Sequence, residues 1–457
     1  MELTKHYHLI GIGGIGMSGI AALLSCKGLK VTGSDLKESK TVHELRSRGI
    51  NINIGHSADN IKGADVVIYS SAIKEDNPEL KEAVKKGMLI KRRAQALADL
   101  MCDKTIVTVT GSHGKTTTSS LASYMLLRAG LNPTIAVGGV LKNIDANACF
   151  GSGEFFVAEA DESDGTFLHY NPDYSIITNI DREHLDHYKS FSNAVDNFGK
   201  FIATLKTNGC LFYWNNDQNL VNLALKFPGR KVSFGIGRGA GIFADNIAIK
   251  GLSCQFDCYF EDKFITRFFL NLGGKHNILN ALPVIALGLI LGIDIKIIKD
   301  TLSNYLGAAR RLEVKFQNSE FRVIDDYAHH PTEIMATLEA LKFLEPGRIV
   351  AVFQPHRYSR TQLLLKEFSN CFTSADYIII TDIYAASEQP IPGIDSLLLA
   401  NKVKENSGNK TVIHLSKDQI IGHLLKIKKP KDIFVMLGAG DITRISDELA
   451  ERFKMQS

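Results

Sequence analysis

A chain of 457 residues is too long for one ordinary hydrophobic core and predicts about three domains. With 45% apolar and 22% charged residues it has the make-up of a soluble globular protein, and a net charge of +4 from 53 basic and 49 acidic residues is too balanced for a nucleic-acid surface. The longest apolar run, about residues 281–293, falls short of the ~20 residues of a membrane helix, which predicts no membrane insertion.

The N-terminal segment runs almost directly into a strand, with neither the basic start nor the cleavage site of a secretion signal, so a cytoplasmic protein is expected. Seven scattered cysteines predict reduced structural thiols. "HYHLIGIGGIGMSGIAALLSCKGLKVTGSD" reads as a βαβ unit: a strand at Ile10, a glycine turn, a helix from Met17 stopped at Gly28, and a strand at Lys30–Thr32. Gly11, Gly13 and Gly16 match G-x-G-x-x-G, with Gly14 inside the turn. Glycines there let backbone N–H groups approach a pyrophosphate at a helix N-terminus. Asp35 follows about twenty residues on, where a ribose hydroxyl is often held. Alone, this loop predicts a nicotinamide-dependent oxidoreductase, although it also suits other nucleoside diphosphates. "ADVVIYSSAI" is a further buried strand with a polar end.

A second strand–turn–helix begins at "KTIVTVTGSHGKTTTSS". The residue five places before Gly114 is Val109, so the loop is a shortened G-x-x-G-K-T-T, not the usual Walker A pattern. Its physics still serves ATP. The amides of Gly111, Ser112, His113 and Gly114 can cradle phosphate oxygens, Lys115 supplies a point charge, the Thr116 hydroxyl suits Mg²⁺, and Thr117 continues the helix start. Two later strands, in "FFVAEADESD" and "YSIITNIDREHLDHY", end in the hard ligands Mg²⁺ needs: Glu159, Asp161, Glu162 and Asp164, then Asp181, Glu183, His184 and Asp186. The residues alone do not choose among them. From Phe212 to Thr266 the pattern predicts a small antiparallel addition, and "HNILNALPVIALGLILG" a buried helix. From Leu312, four more strands end in polar residues, giving α/β structure throughout.

Taken in order, "TGSHGKTTT", "AEADESDGTF", "TNIDREHLD", "GGKHNILNA", "GAARRLE", "DDYAHHPTEI", "QPHRYSRT" and "LGAGDI" resemble the Mur ligases of peptidoglycan synthesis over nearly the whole chain. The resemblance implies an α/β protein of three domains. Residues 1–103 would form a Rossmann-like UDP-binding domain. Residues 104–309 would form a central P-loop-type ATPase domain with a mostly parallel sheet plus a small antiparallel one. Residues 310–457 would form a C-terminal Rossmann-like domain closing on ATP and amino acid. It implies an ATP-dependent carbon–nitrogen ligase. His113 in the loop, the G-x-G-x-x-G-M turn and "QPHRYSRT" favour the branch that adds L-alanine to UDP-N-acetylmuramate. The alternative within the family is a recycling ligase that adds a tripeptide.

The resemblance also implies roles. Lys115 would grip the ATP phosphates, Thr116 and Glu159 would hold one Mg²⁺, and Glu159 with His184 a second. His276, Asn277 and Asn280 would face the adenine, Arg311 (and less clearly Arg310) the phosphates, with Asp326 and Tyr327 closing on the nucleotide. His329 and His356 would be candidate general bases, and Arg357 and Arg360 would take the amino-acid carboxylate. Asp35, Ser70, Ser71 and Arg93 would surround the uridine end. A monomer or weak homodimer is expected. Two departures from the family pattern are Gln95 after Arg93-Ala94 and Leu437 in "LGAGDI".

Overall fold

The computed structural model of the protein describes residues 5–455 apart from Ser71, Asp164 and Ser387. Three α/β sheets follow one another along the chain. The first has five parallel strands, β1 (His6–Ile10), β2 (Lys30–Asp35), β3 (Asn51–Ile54), β4 (Val66–Tyr69) and β5 (Leu89–Arg92), in the order β3-β2-β1-β4-β5. Helices α1 (Ile15–Cys26), α2 (Lys40–Ser47), α3 (Pro78–Lys85) and α4 (Arg93–Met101) join or follow them. Both faces are covered: Leu9 and Ile68 pack with α1, whereas Ile10 and Val67 pack with Leu80 and Ala83 of α3. That two-sided burial is why these strands read as continuous apolar runs.

The second sheet is built from β6 (Thr105–Thr110), β7 (Thr134–Leu141), β8 (Ala146–Cys149), β9 (Phe155–Glu159), β10 (Tyr174–Ile177), β11 (Cys210–Trp214), β12 (Arg230–Ile236), β13 (Ile242–Lys250), β14 (Ser253–Phe260) and β15 (Lys263–Leu270). Its order is β15-β14-β13-β12-β11-β10-β6-β9-β7-β8. Helices α5 (Lys115–Arg128), α6 (Leu185–Tyr188), α7 (Phe191–Ile202), α8 (Gln218–Lys226), α9 (Lys275–Ile290, containing Pro283) and α10 (Ile295–Asn304) belong to the same stretch of chain. The antiparallel addition expected from Phe212 begins later than that. β11 pairs in parallel with both β10 and β12, because α8 returns the chain to the same edge. An antiparallel pair that the sequence did not reveal, β7 with β8, closes the other edge.

The third sheet contains β16 (Glu313–Gln317), β17 (Phe321–Asp326), β18 (Arg348–Phe353), β19 (Tyr377–Ile380), β20 (Thr411–His414) and β21 (Asp432–Leu437), in the order β16-β17-β21-β18-β19-β20. Only β16 is antiparallel to its neighbour. Its helices are α11 (Pro331–Lys342), α12 (Tyr358–Leu363), α13 (Leu365–Phe368), α14 (Ser396–Asn406), α15 (Lys417–Ile427) and α16 (Thr443–Lys454). Alternate residues feed two separate cores: Ile324, Ala351, Ile378 and Val435 on one face, Val323, Val350, Ile379 and Phe434 on the other.

The chain divides into two compact units, residues 1–245, 257–268 and 279–308 in one, and 246–256, 269–278 and 309–457 in the other. In the first unit both glycine loops leave the carboxyl end of a strand whose two neighbours lie on opposite sides in the sheet order, β1 between β2 and β4, β6 between β10 and β9. Such reversals open a crevice for ligands.

Candidate active site

The first loop is braced by the strand beside it. The N–H groups of Gly11 and Ile12 both donate to the Ser34 carbonyl, at 2.8 and 3.0 Å, and Gly13 N–H donates to Asp35 Oδ2 at 2.9 Å. A methyl group at Gly13 would lie 2.9 Å from that oxygen and 3.0 Å from Val42, so only glycine lets the loop close on Asp35. Gly14 caps α1 without a side chain of its own. Asp35, expected to face a ribose, therefore gives one carboxylate oxygen to the loop itself. Gly16 is held against Arg93, whose Cδ would stand 3.0 Å from an added methyl. Arg93 leads into α4 and reaches Asp161 at 3.6 Å. Ser70, just past β4, accepts Ala72 N–H at 3.1 Å. Ser71 and Asp164 lie outside the described residues, as does the side chain of Asp186.

The second loop runs from β6 into α5. Gly111 has φ +122°, and a methyl group there would stand 2.2 Å from Thr178 Oγ1. Gly114 caps the helix in the left-handed region, with Asn280 of α9 filling the space beside it. Ser112 Oγ accepts Asp181 N–H at 2.8 Å, while His113 donates its N–H to Asn179 Oδ1 and faces Asp181 Oδ2 through Nε2, both at 2.9 Å. The loop is thus tied to the polar end of β10. Thr116 and Thr117 are buried in the first turn of α5, Thr116 against Gly139 of β7.

Lys115 folds back over the loop. Its ammonium donates to the carbonyls of Gly111 at 2.6 Å and Ser112 at 3.2 Å, and to Glu162 Oε1 at 2.8 Å. Burial works to lower its pKa, but the carboxylates of Glu162, Glu183, Asp161 and Glu159 outweigh burial and hold it above the usual lysine range. It is a fixed positive charge. Burial likewise pushes Glu162 up, to about 8, against the pull of Lys115.

The acidic tails left open by the sequence now separate. Glu159 turns to β7, accepting Gly138 N–H at 2.9 Å and the Ser119 hydroxyl at 3.4 Å. Glu162, Glu183 and His184 form the tighter group, their ligand atoms all within 4.8 Å of one another. His184 Nε2 lies 3.7 Å from both Glu162 Oε1 and Glu183 Oε2. Glu162 Oε2 is buried and has no hydrogen-bond donor among the described residues. An orphaned carboxylate oxygen beside a second carboxylate and an imidazole fits a divalent cation, with oxygens suited to Mg²⁺. Of the expected metal set, His184 belongs to this group, whereas Thr116 and Glu159 are not among its members. Glu162 and Glu183 stood in the sequence as possibilities only.

In the second unit, Arg311 and Tyr327 form a cation–π pair at 5.1 Å, and Arg310 takes the other approach to the ring at 5.2 Å. The two arginines differ in use. Arg310 is engaged by Asp325 at 3.1 Å and the carbonyls of Gly438 and Gly440 at 2.6 and 3.2 Å, which makes it a structural residue. Arg311 lies 3.8 Å from the Glu333 carboxylate. Asp326 is buried and binds backbone: Leu312 N–H at 2.6 Å and Ala328 N–H at 2.8 Å. Burial raises its pKa to about 6, with Arg311 opposing. His276, at the start of α9, is lowered to about 4 by burial and then by Arg311. Asn277 donates to the Gly273 carbonyl at 2.7 Å.

His329 Nδ1 lies 3.0 Å from the Tyr327 carbonyl, so that nitrogen carries the proton and Nε2 is the basic one. His356 is arranged the other way: its Nδ1 faces Arg360 Nη1 at 3.1 Å and therefore accepts. The two rings meet edge to face at 5.7 Å. Arg357, with φ +69°, leads into α12 and donates its N–H to the Tyr384 carbonyl at 2.8 Å. Two residues were missed in the sequence. Tyr384 stacks on His356 at 5.6 Å, and Glu333 accepts His329 N–H at 3.1 Å. Glu333 was findable, because His330 and Glu333 have capping-box spacing before α11.

Three family profiles match the chain in succession: "Mur ligase family, catalytic domain" over residues 6–105, "Mur ligase middle domain" over 109–288, and "Mur ligase, glutamate ligase domain" over 310–440. The chain is 44% identical over 448 residues to a UDP-N-acetylmuramate–L-alanine ligase of Desulfatibacillum aliphaticivorans, covering 97% of this chain and 98% of that one. Among solved structures, the UDP-N-acetylmuramate-alanine ligase MurC of Thermotoga maritima aligns with a TM-score of 0.84 at 30% identity, over 99% of this chain and 100% of the other. A murein peptide ligase of Psychrobacter arcticus aligns with a TM-score of 0.73 at 23% identity, over 98% of each chain, a likeness of fold.

Proposed function

The chain belongs to the Mur ligase family, and from that premise we propose that it joins L-alanine to the lactyl carboxylate of UDP-N-acetylmuramate, converting ATP to ADP and phosphate. The observation that carries this reading is the end-to-end likeness to ligases of that name. The tripeptide-adding alternative is less favoured, since the murein peptide ligase is the more distant structure. Nothing in the site favours a nicotinamide oxidoreductase, which leaves the second loop without a purpose.

A carboxylate resists an amine because its leaving group is poor. The lactyl carboxylate oxygen therefore attacks the γ-phosphorus of ATP, the bond to the β–γ bridging oxygen breaks, and an acyl phosphate forms. The L-alanine nitrogen then attacks the acyl carbon, and the C–O bond to phosphate breaks. In this reading Gly111, Ser112, His113, Gly114, Thr116 and Thr117 cradle ATP, and Lys115 transfers its attention from Glu162 to the phosphates. Glu162, Glu183 and His184, together with Thr116 and Glu159, are the residues that would hold Mg²⁺. When bound, Mg²⁺ supplies charge neutralisation for the transferring phosphoryl group. His276, Asn277, Asn280, Arg311, Asp326 and Tyr327 serve the nucleotide, and Arg357 and Arg360 the alanine carboxylate. His329 is the better base of the two histidines, because its Nε2 is the basic nitrogen, whereas the basic nitrogen of His356 faces Arg360. Gly11, Gly13, Gly14, Gly16, Asp35, Ser70, Ser71 and Arg93 form the UDP end.

We further assign residues 1–103, 104–309 and 310–457 to the UDP, ATP and C-terminal domains of a cytoplasmic enzyme that is a monomer or weak homodimer. Among the described residues no helix is long and apolar enough to cross a membrane. The test is phosphate release with ATP, Mg²⁺ and UDP-N-acetylmuramate, L-alanine being added last, with the product identified by mass. Release that needs every component, and a product heavier by one alanine residue, is expected. Turnover with a tripeptide but not with L-alanine would move the chain to the recycling branch.

A further inference from the structure

Beneath the first glycine loop lies a carboxylate that none of the roles above uses. Glu79, in the first turn of α3, is fully buried. Its Oε2 accepts the Ser34 hydroxyl at 2.7 Å and faces His8 Nε2 at 3.1 Å. Its Oε1 accepts Asn60 Nδ2 at 2.7 Å and Ser57 N–H at 3.3 Å, and lies 3.2 Å from His56 Nδ1. The network continues inward, from His8 to Thr32 Oγ1 at 2.9 Å and from there to His6, also at 2.9 Å. Burial would raise the pKa of Glu79, but hydrogen bonds from His8, Asn60 and Ser34 outweigh it and bring the group down to about 2. A buried, ionised carboxylate persists only where its lone pairs are satisfied, so these donors fix its position.

What the network grips is the end of β2. Ser34, whose hydroxyl donates to Glu79, is the residue whose carbonyl receives Gly11 and Ile12 N–H. Asp35, next in line, receives Gly13 N–H and, through its carbonyl, Gly55 N–H at 2.8 Å. Asn60 closes the circuit by donating to the Gly55 carbonyl at 3.1 Å as well as to Glu79. The backbone that shapes the first loop is thus one residue removed from a buried ionic network.

We infer that Glu79 is a positioning residue for the sugar nucleotide: through the Ser34 hydroxyl it fixes the carbonyl that braces Gly11 and Ile12, and so holds the loop in its pyrophosphate-binding shape. This rests on the reading of that loop as the UDP-sugar site. A merely structural Glu79 would, when altered, weaken all ligands together.

The test titrates UDP-N-acetylmuramate, and separately a non-hydrolysable ATP analogue, into the full-length wild type, Glu79→Gln and Ser34→Ala. Ser34→Ala removes the hydroxyl, and with it the links to Glu79 and to His56 Nδ1 at 3.1 Å, but leaves the carboxylate in place, and it covers the case in which Glu79→Gln does not fold. Both variants are expected to bind the sugar nucleotide about tenfold more weakly, the scale of one lost hydrogen bond to a charged group, with the affinity for the ATP analogue unchanged. Equal weakening of both ligands, or a Ser34→Ala variant that binds the sugar nucleotide like wild type, would overturn the inference. A wild type that does not bind UDP-N-acetylmuramate at all would overturn the reading of the loop instead.

Discussion

At Gly11–Gly16 the turn is braced by Ser34 and Asp35, and its sequence contains no basic residue; Arg93 is brought to Gly16 from α4. At Gly111–Lys115 the cation is part of the loop, folded over its own carbonyls and surrounded by carboxylates. Both loops use the same backbone physics, N–H groups at a helix start on the carboxyl edge of a parallel sheet. In the proposed reading the first holds a pyrophosphate that does not change. The second carries a charge beside a group of metal-type ligands, which is what phosphoryl transfer requires. In that reading the two glycine loops serve two nucleotides with different fates.

The largest expected break in that contrast is Lys115→Met. Phosphate release should fall about a thousandfold, the scale of a lost transition-state contact, while titration of UDP-N-acetylmuramate is unaffected. Comparable activity in that variant would remove the second loop from the chemistry. Next comes the glycine scan. Gly111→Ala must place its methyl 2.2 Å from Thr178 Oγ1 at φ +122°, whereas Gly14→Ala, at 3.5 Å from the Gly11 carbonyl, meets ordinary contact. Denaturant melts should show a loss of about 3 kcal/mol for the first and under about 1 kcal/mol for the second. Asp35→Ala, which frees Gly13 N–H, should weaken the sugar nucleotide about tenfold and leave ATP alone, as read by calorimetry.

A residue of neither loop sharpens the contrast through pH. His276 is held near 4 against an ordinary 6.5, so between those values the unfolded chain binds a proton that the folded one refuses. Its contribution to stability is present above 6.5 and is lost as pH falls toward about 4. Tm should drop across that window, and His276→Gln should flatten the drop; an identical slope in the variant would exclude His276 as its source. The smallest effect belongs to Asp161→Asn. Its partner Arg93 stands 3.6 Å away and Asp161 is 43% exposed, so solvent screens the pair. A change in KM of no more than about twofold is expected.

The strands and both loops were legible because parallel strands buried on two faces write themselves as apolar runs ending in polar tails. Their tails were not. In "EADESD", Glu159 closes a strand and points to β7, while Glu162, three residues on, turns back to Lys115. Composition alone cannot supply that direction, since it depends on where the chain leaves the sheet. Arg310 and Arg311 are adjacent and alike in type, and only the fold shows how they part: a backbone at φ +58° sends Arg310 into Asp325 and two carbonyls. The role of Asp326 was obscured in the same way, because its carboxylate is taken up by backbone N–H groups that only the folded turn presents. The Glu79 network was invisible for a different reason: its members, His8, Ser34, His56, Asn60 and Glu79, come from separate elements with no shared spacing.

The most direct test of two loops for two nucleotides is a calorimetric titration of UDP-N-acetylmuramate into the protein already saturated with a non-hydrolysable ATP analogue. A full second binding event is expected, one sugar nucleotide per chain, that Asp35→Ala weakens and Lys115→Met leaves intact. Competition between the ligands, or a sugar-nucleotide signal that vanishes with Lys115→Met, would mean that one loop serves both and would contradict it.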